Sequence, residues 1–268
     1  MTPPSVPRYN VLGVGISGAD PGRATELILQ AARARAAFSA SALAVHAVME
    51  ARGDPLYRAR LNSLDLAAAD GQPVRWALNC LHGAGLHERV YGPFLMRGLC
   101  AAAGREGMPV FLFGTTNATL ARLSANLTAA HPGLVVAGTR ASRFRRATEA
   151  VARDDARAIA GSGARIVFCG LGCPRQEAWV HAMRPLISVP LVGVGAAFAL
   201  WAGERPMAPT WMQDNGLEWL YRLGQEPGRL AGRYLVQGPG FFLGVALQKL
   251  GSSPPGIEPG PVEPDYWG

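Results

Sequence analysis

Short apolar runs alternate along the chain with longer alanine-rich stretches that have helical periodicity. The apolar runs are typical of buried strands, and the alanine-rich stretches are typical of amphipathic helices. Strands are predicted at 9–14, 109–113, 134–138, 164–169 and 190–194, helices at 23–37, 118–130, 147–161 and 176–187, and a strand–helix passage at 41–50. Because continuous apolar strands separated by helices form parallel sheets covered on both faces, the pattern predicts an α/β fold with a doubly wound, mostly parallel, Rossmann-like sheet.

The pattern changes at residue 206. Residues 206–250 are rich in Trp, Arg and Leu and contain no strand-like run, so they predict a helical appendage to a main domain at 1–205. Residues 251–268 are rich in Pro, Gly and Ser, a composition that predicts a disordered tail.

Composition describes a globular, basic protein. The 268 residues are 49% hydrophobic and 17% charged, and the net charge is +7. Lys249 is the one lysine, so the positive charge is almost all arginine, which binds phosphate or carboxylate in a bidentate manner. Anionic partners are one explanation, and a genome-wide preference for arginine is the other.

Several classes of site have no signal in the sequence. Cys80, Cys100, Cys169 and Cys173 show no metal-ligand spacing, and no Asp-x-Asp follows a predicted strand. There is no phosphate-binding loop of the Gly-x-x-x-x-Gly-Lys type and no Gly-x-Ser-x-Gly elbow. No window reaches about 18 apolar residues, the length expected of a membrane span. We expect a cytoplasmic protein with reduced thiols.

The stretch from Gly13 to Gly18 has the Gly-x-Gly-x-x-Gly spacing of a dinucleotide fingerprint. The fingerprint also requires an acidic residue about 20 positions later, and this chain has none there. An NAD(P)-dependent oxidoreductase is therefore one alternative, and a plain tight turn is the other.

In open parallel sheets the ligand lies beyond the carboxyl ends of the strands, so the strand-to-helix loops are the candidate sites. Asp70 ends an apolar passage and could accept a proton from a substrate hydroxyl, although an Asp-Gly pair is also a common turn. Gly114 and Thr115 precede a helix, where they could bind an anion or serve an ordinary N-cap.

The stretch GLGCPRQEAW, 170–179, follows another apolar run. Gly170 and Gly172 allow the backbone to approach a ligand closely. Gln176 could donate and accept hydrogen bonds to sugar hydroxyls, and Glu177 is expected either at the cleft or as a partner of the helix dipole.

An ordered set of motifs resembles the WecG/TagA/CpsF family of bacterial glycosyltransferases, from the first strand to about Leu243. The motifs are ADG (69–71), ERVYGP (88–93), VFLFG (110–114), GLGCPRQE (170–177), VGAAF (194–198), AG (202–203), AP (208–209), GLEWLYRL (216–223), EP (226–227) and RY (233–234). The resemblance implies inverting, metal-independent transfer of a sugar from a nucleotide donor, usually a UDP-sugar, to a polyprenyl-diphosphate-linked saccharide. It implies work at the inner face of the cytoplasmic membrane, no cofactor, no nucleic-acid partner, and a homo-oligomer as one expectation.

The resemblance also assigns roles to residues. Asp70 matches the general base, Gln176 the cleft glutamine, and Arg89 is a candidate to neutralise the leaving diphosphate. The loop from Gly195 to Phe198 would lie against the nucleotide.

In the appendage, Arg222, Arg229 and Arg233 recur among apolar residues and could meet lipid or acceptor phosphate. The alternative is a helical pair packed on a core or on a neighbouring subunit. Ala44 stands where the family commonly has asparagine, a departure that keeps a non-catalytic nucleotide-sugar-binding protein as a further alternative.

Overall fold

The computed structural model describes residues 6–268, apart from the side chains of Asp214 and Arg229. It has a mostly parallel sheet covered by helices on both faces, so the predicted α/β fold is confirmed. The strands are β1 (Arg8–Val11), β2 (Val14–Ser17), β3 (Phe38–Leu43), β4 (Leu66–Ala69), β5 (Val110–Phe113), β6 (Val136–Arg140), β7 (Ile166–Cys169) and β8 (Pro190–Gly193).

The helices separate the strands much as the alanine-rich stretches predict. They are α1 (Pro21–Ala34), α2 (Val45–Gly53), α3 (Pro55–Asn62), α4 (Gln72–His82), α5 (Gly92–Glu106), α6 (Asn117–Ala130), α7 (Glu149–Gly161), α8 (Arg175–Met183), α9 (Ala197–Trp201), α10 (Thr210–Asp214), α11 (Glu218–Gln225), α12 (Pro227–Ala231) and α13 (Gly238–Lys249). A π-helical segment, Gly232–Gln237, joins α12 to α13.

The sheet order is β1-β2-β4-β3-β8-β7-β5-β6, and all neighbours except β1 and β2 are parallel. The carboxyl ends of β2 to β8 therefore lie along one edge of the sheet. β3 lies between β4, which follows it in the chain, and β8, which closes the second half. Ligands of open α/β sheets bind in the crevice at such a reversal of strand order.

Alternate residues of the central strands face two separate cores. Phe113 of β5 stacks on Trp179 of α8 with ring centroids 4.2 Å apart, in the core that also contains α2, α3, α4 and α7. Leu112 and Phe168 face the opposite core, which contains α1, α5, α6 and α9. Because both faces of the sheet are covered, its strands are continuously apolar, which is why the sequence pattern reveals them.

The predicted strand at 9–14 is wrong in detail, because the chain turns back at Leu12 and Gly13 to form the antiparallel hairpin of β1 and β2. Both turn residues have positive φ, and the Asn10 side chain accepts a hydrogen bond of 2.7 Å from the Gly13 amide. Gly15 lies within β2. The Gly-x-Gly-x-x-Gly spacing is thus a hairpin turn and a strand, without the strand–turn–helix context that dinucleotide binding requires.

The tail at 251–268 has no helix or named strand, and it lies against the domain. The Tyr266 carbonyl accepts a 2.8 Å hydrogen bond from Ala147, and the Trp267 ring lies beneath the guanidinium groups of Arg146 and Arg175 at 5.5 and 5.7 Å. The composition of the tail does not indicate these contacts, because they are made by two aromatic residues near its end.

Asp155 of α7 forms a buried ion pair with Arg143, and the contribution of this pair to stability can be tested. Its carboxylate is 2% exposed and receives hydrogen bonds of 2.8 and 2.9 Å from Arg143. The neighbouring Asp154 is 59% exposed and pairs with Arg140 at 2.8 Å. Since loss of one partner leaves a charge without compensation, we expect Asp155→Ala to lower the free energy of unfolding by about 3 kcal/mol.

The matched variant Asp154→Ala should cost less than about 1 kcal/mol, because its ion pair is exposed to solvent. Urea denaturation of both variants checks this expectation. Equal losses would contradict it.

Candidate active site

Asp70 lies directly after β4, at the edge where the parallel strands end. Its backbone N–H donates a 3.0 Å hydrogen bond to the Leu43 carbonyl at the end of β3. The preceding carbonyl, of Ala69, accepts a 2.8 Å bond from Val90. These hydrogen bonds hold Asp70 beside the reversal of strand order. They also hold the segment that contains Arg89 next to Asp70.

A cluster of charged side chains surrounds this position, and Glu218 is at its centre. One oxygen of Glu218 accepts a hydrogen bond from Arg89, and the other accepts a 2.7 Å bond from the Tyr91 hydroxyl and forms an ion pair with Arg222 at 2.8 Å. Arg222 also donates to the Tyr91 oxygen at 3.1 Å, and the Arg89 guanidinium lies 4.3 Å from the Tyr91 ring centroid. We call Arg89, Tyr91, Glu218 and Arg222 the arginine cluster.

The environment raises the pKa of Asp70 to about 6. Burial is the main cause, and the negative charge of Glu218 acts in the same direction. The positive charges of Arg89 and Arg222 and a hydrogen bond from the Gly71 backbone oppose it. A carboxylate whose pKa lies near neutrality can take up a proton from a substrate and is ionised at pH 7.

Glu218 has the opposite shift. Burial acts to raise its pKa, but Arg222, Arg89 and the hydrogen bonds from Tyr91 and Arg89 lower the pKa below its usual value. Glu218 therefore stays ionised and holds both guanidinium groups beside Asp70. Because Glu218 belongs to α11, the cluster also joins the appendage to the main domain.

Gln176 lies on the first turn of α8 at the carboxyl end of the sheet, where the family glutamine is expected, and it is 3% exposed. Its Nε2 atom donates to Glu177 at 2.7 Å and to Ser41 at 3.3 Å. Its Oε1 atom has no hydrogen-bond partner among the described residues. Glu177 lies on the first turn of α8, as both alternatives for it expect, and its side chain is fully buried.

The predicted glycine loops bring three strand ends together. The Gly170 amide donates a 2.9 Å hydrogen bond to the Phe113 carbonyl, and a side chain at Gly114 would lie 3.0 Å from the Gly170 backbone. A side chain at Gly170 would lie 2.3 Å from the Phe198 ring. Phe198 is 2% exposed and packs on Gly170, so its ring belongs to the core, although the resemblance implies that its loop lies against the nucleotide.

The remaining predicted residues of the strand-to-helix loops lie near the same edge of the sheet. Thr115 adopts a positive φ of 54°, and Thr116 next to it caps α6 by accepting a 3.2 Å bond from Thr119, which is the ordinary capping alternative. Gly172 has a φ of 78° and open space around it. Gly195, with a φ of 53°, lies close to Gln176.

The described side chains of the appendage arginines have different surroundings. Arg222 lies in the arginine cluster, Arg233 is half-buried in the π-helical segment, and the side chain of Arg229 lies outside the described residues. Exposed apolar side chains surround this region, namely Trp211, Leu220, Leu235, Val236, Phe242, Leu243, Leu247 and Leu250.

The roles of Tyr91, Glu218, Ser41 and Tyr57 were missed by the sequence analysis. Tyr91 belongs to the ERVYGP motif and Glu218 to the GLEWLYRL motif. Their membership in the ordered set of family motifs was the one signal in the sequence that they belong to the site. Tyr57 and Ser41 contact Glu177, at sequence separations of 120 and 136 residues. No local pattern indicates contacts over such separations.

The fold and the site define a doubly wound α/β protein with its functional groups at the carboxyl ends of the strands. Comparison with protein families identifies it further: the model of the glycosyl transferase WecG/TagA/CpsF family matches residues 9–254, and the chain belongs to this family. It is therefore a glycosyltransferase of cell-surface polysaccharide synthesis, which uses a nucleotide-sugar donor and a glycan acceptor.

Two features are absent from the described part of the chain. No helix within it is long and apolar enough to cross a membrane. Among the same residues, no group of three or more His, Cys, Asp or Glu side chains is arranged to hold a metal ion.

Proposed function

We propose that the enzyme transfers a sugar, with inversion, from a UDP-sugar to a polyprenyl-diphosphate-linked saccharide, with Asp70 as general base. The observation that carries this proposal is the position of Asp70. It is a partly buried carboxylate with a pKa of about 6 at the reversal of strand order, beside two arginines.

The proposed reaction is a single displacement. The acceptor hydroxyl oxygen attacks the anomeric carbon, and Asp70 takes the hydroxyl proton as the new C–O bond forms. The bond between the anomeric carbon and the diphosphate oxygen breaks on the opposite face, so the configuration inverts and the nucleoside diphosphate leaves with the electron pair.

The arginine cluster supports the departure of the diphosphate. Arg89 and Arg222 together carry two positive charges against the one negative charge of Glu218. A guanidinium has five N–H donors, and Arg89 uses one of them on Glu218 in the described contacts. Charges that are already in place stabilise the developing negative charge without reorganisation, and we propose a metal-independent reaction for this reason.

The appendage supports a peripheral association with the inner face of the membrane. One side of α13 carries exposed leucines at intervals of four and three residues. They are Leu243, Leu247 and Leu250, the last of which directly follows the helix. Apolar side chains at this spacing can enter the lipid boundary, and arginines nearby can meet lipid phosphate.

Ala44 caps α2 without a side-chain hydrogen bond, at the end of β3 beside the candidate site. An asparagine there would offer an amide to the substrate, and alanine offers none. The non-catalytic alternative does not stand, because the chain belongs to a family of glycosyltransferases.

Nucleotide binding tests the proposal, because a ligand that binds the folded state alone raises its apparent stability. We expect UDP to raise the midpoint of thermal unfolding, and at 100 times its Kd the stabilisation should be about 2.7 kcal/mol. NAD and NADP at the same concentrations should cause no shift, since Gly13 and Gly15 belong to a hairpin. Stabilisation by NAD alone would refute the proposal, and stabilisation by GDP alone would replace the uridine donor.

A further inference from the structure

Glu177 is a buried carboxylate that the proposed displacement does not use. It is on the first turn of α8, next to Gln176, and has no exposed surface. Three side chains donate hydrogen bonds to it, at 2.8 Å from the Ser41 hydroxyl, 3.0 Å from the Tyr57 hydroxyl and 2.7 Å from Gln176 Nε2. The carboxylate is thus enclosed by donors, and one of them belongs to the cleft glutamine.

This arrangement determines which way the Gln176 amide faces. In the structure the amide atom next to Glu177 is the nitrogen, as an ionised carboxylate requires because it accepts hydrogen bonds and donates none. Burial raises the pKa of Glu177, and the hydrogen bonds from Gln176, Ser41 and Tyr57 act in the opposite direction. Ser41 supports the same orientation, because its hydroxyl donates to Glu177 and its oxygen accepts from Nε2 at 3.3 Å. The amide oxygen is therefore directed away from Glu177.

The amide oxygen lacks a protein donor. Gln176 Oε1 is buried without a hydrogen-bond partner among the described residues. It faces the end of β8, where a side chain at Gly195 would lie 3.5 Å from it. Buried polar atoms in native proteins are nearly always satisfied, so an unpaired acceptor beside a glycine at the ligand edge indicates a place for a donor from the ligand.

We propose that Glu177 is a positioning residue: it fixes the Gln176 amide so that Oε1 is the atom that accepts a hydrogen bond from a hydroxyl or N–H group of the sugar already expected at Gln176. The assignment to a sugar rests on the proposed transferase function. A diphosphate ester at neutral pH has acceptor oxygens and no proton to donate, so it does not fit this position. Gln176 then distinguishes the sugar, whereas the arginine cluster meets the diphosphate.

A first experiment needs no ligand. In the full-length protein, the side-chain amide hydrogens of Gln176 should exchange with solvent at least about tenfold more slowly than in Glu177→Gln, because the wild-type carboxylate holds them in a hydrogen bond. Exchange is followed by NMR on protein labelled with ¹⁵N at glutamine. Equal exchange rates in the two proteins would overturn the positioning role.

A second experiment measures sugar recognition by titration calorimetry. The probes are UDP, and whichever of UDP-glucose and UDP-N-acetylglucosamine the wild type binds more tightly. Gln176→Met should weaken binding of the UDP-sugar about tenfold and leave UDP binding unchanged, since one hydrogen bond to the sugar is lost. Glu177→Gln should have the same effect, and the double variant should be no worse than either single variant.

Tyr57→Phe is the control, because it removes one donor to Glu177 without touching Gln176. It should lower stability and leave the ratio of UDP-sugar to UDP affinity unchanged. Additive losses in the double variant, or an equal loss of UDP binding, would overturn the inference. If the wild type binds none of the three probes, the proposed function is refuted, and the assignment of a sugar to Gln176 is refuted with it. The hydrogen-exchange experiment would still decide whether Glu177 positions the Gln176 amide.

Discussion

Replacement of Glu218 by glutamine is expected to lower the free energy of unfolding by about 3 kcal/mol, because it breaks a largely buried charge cluster. The Glu218 side chain is 9% exposed and that of Arg89 is 13% exposed, so water cannot compensate the lost charge well. Glu218 also joins α11 to Arg89 and Tyr91 of the main domain. Urea denaturation measures this loss of stability. We expect the substitution to detach α11 locally from the main domain.

The same substitution should change the acidity of Asp70. The negative charge of Glu218 raises the pKa of Asp70, and the positive charges of Arg89 and Arg222 lower it. In Glu218→Gln the two arginines remain, so the pKa of Asp70 should fall below 6 and the acid limb of the pH profile of kcat/KM should move to lower pH.

Glu149→Gln is the matched control, because its ion pair with Arg153 is exposed on α7 and far from Asp70 in the fold. Its expected cost is below about 0.5 kcal/mol, with an unchanged pH profile. An equal loss of stability in the two variants, or a profile of Glu218→Gln that matches the wild type, would contradict the role given to the arginine cluster.

The sequence predicts the sheet well because most of its strands are buried on both faces. The apolar run at 164–169 becomes β7, and the loop that follows it does place Gln176 at the carboxyl edge of the sheet. Asp70 is likewise found directly after β4, where an acidic residue that ends an apolar passage was expected. Local alternation and glycine spacing suffice for these features.

Features that depend on distant contacts could not be predicted in this way. Arg89 was expected to face a diphosphate, and its pairing with Glu218 depends on how α11 packs 129 residues later. Glu177 resembles an ordinary first-turn acidic residue until Ser41 and Tyr57 are seen to enclose it. The hairpin at Gly13 has the spacing of a phosphate-binding turn, and the return of β2 alongside β1 rules that out.

Asp70→Asn is expected to lower kcat by about 10²- to 10⁴-fold, the range in which a positioned general base contributes. Asparagine has nearly the same shape but cannot take the proton of the acceptor hydroxyl. Thermal stabilisation by UDP should be retained, since the nucleotide does not depend on that proton transfer. Asp54→Asn is the matched control: Asp54 caps α3, and asparagine caps helices equally well, so its turnover should equal that of the wild type.

The most direct test of Asp70 as general base is the turnover of wild type and Asp70→Asn across pH, with a UDP-sugar and a polyprenyl-diphosphate-linked acceptor. The ionised carboxylate is the active form, so wild-type kcat/KM should rise with pH through about 6 and then level off. The variant should be slow throughout and lack that limb. Near-wild-type turnover of Asp70→Asn, or a limb near pH 6 that survives in it, would contradict the assignment of Asp70 as the base.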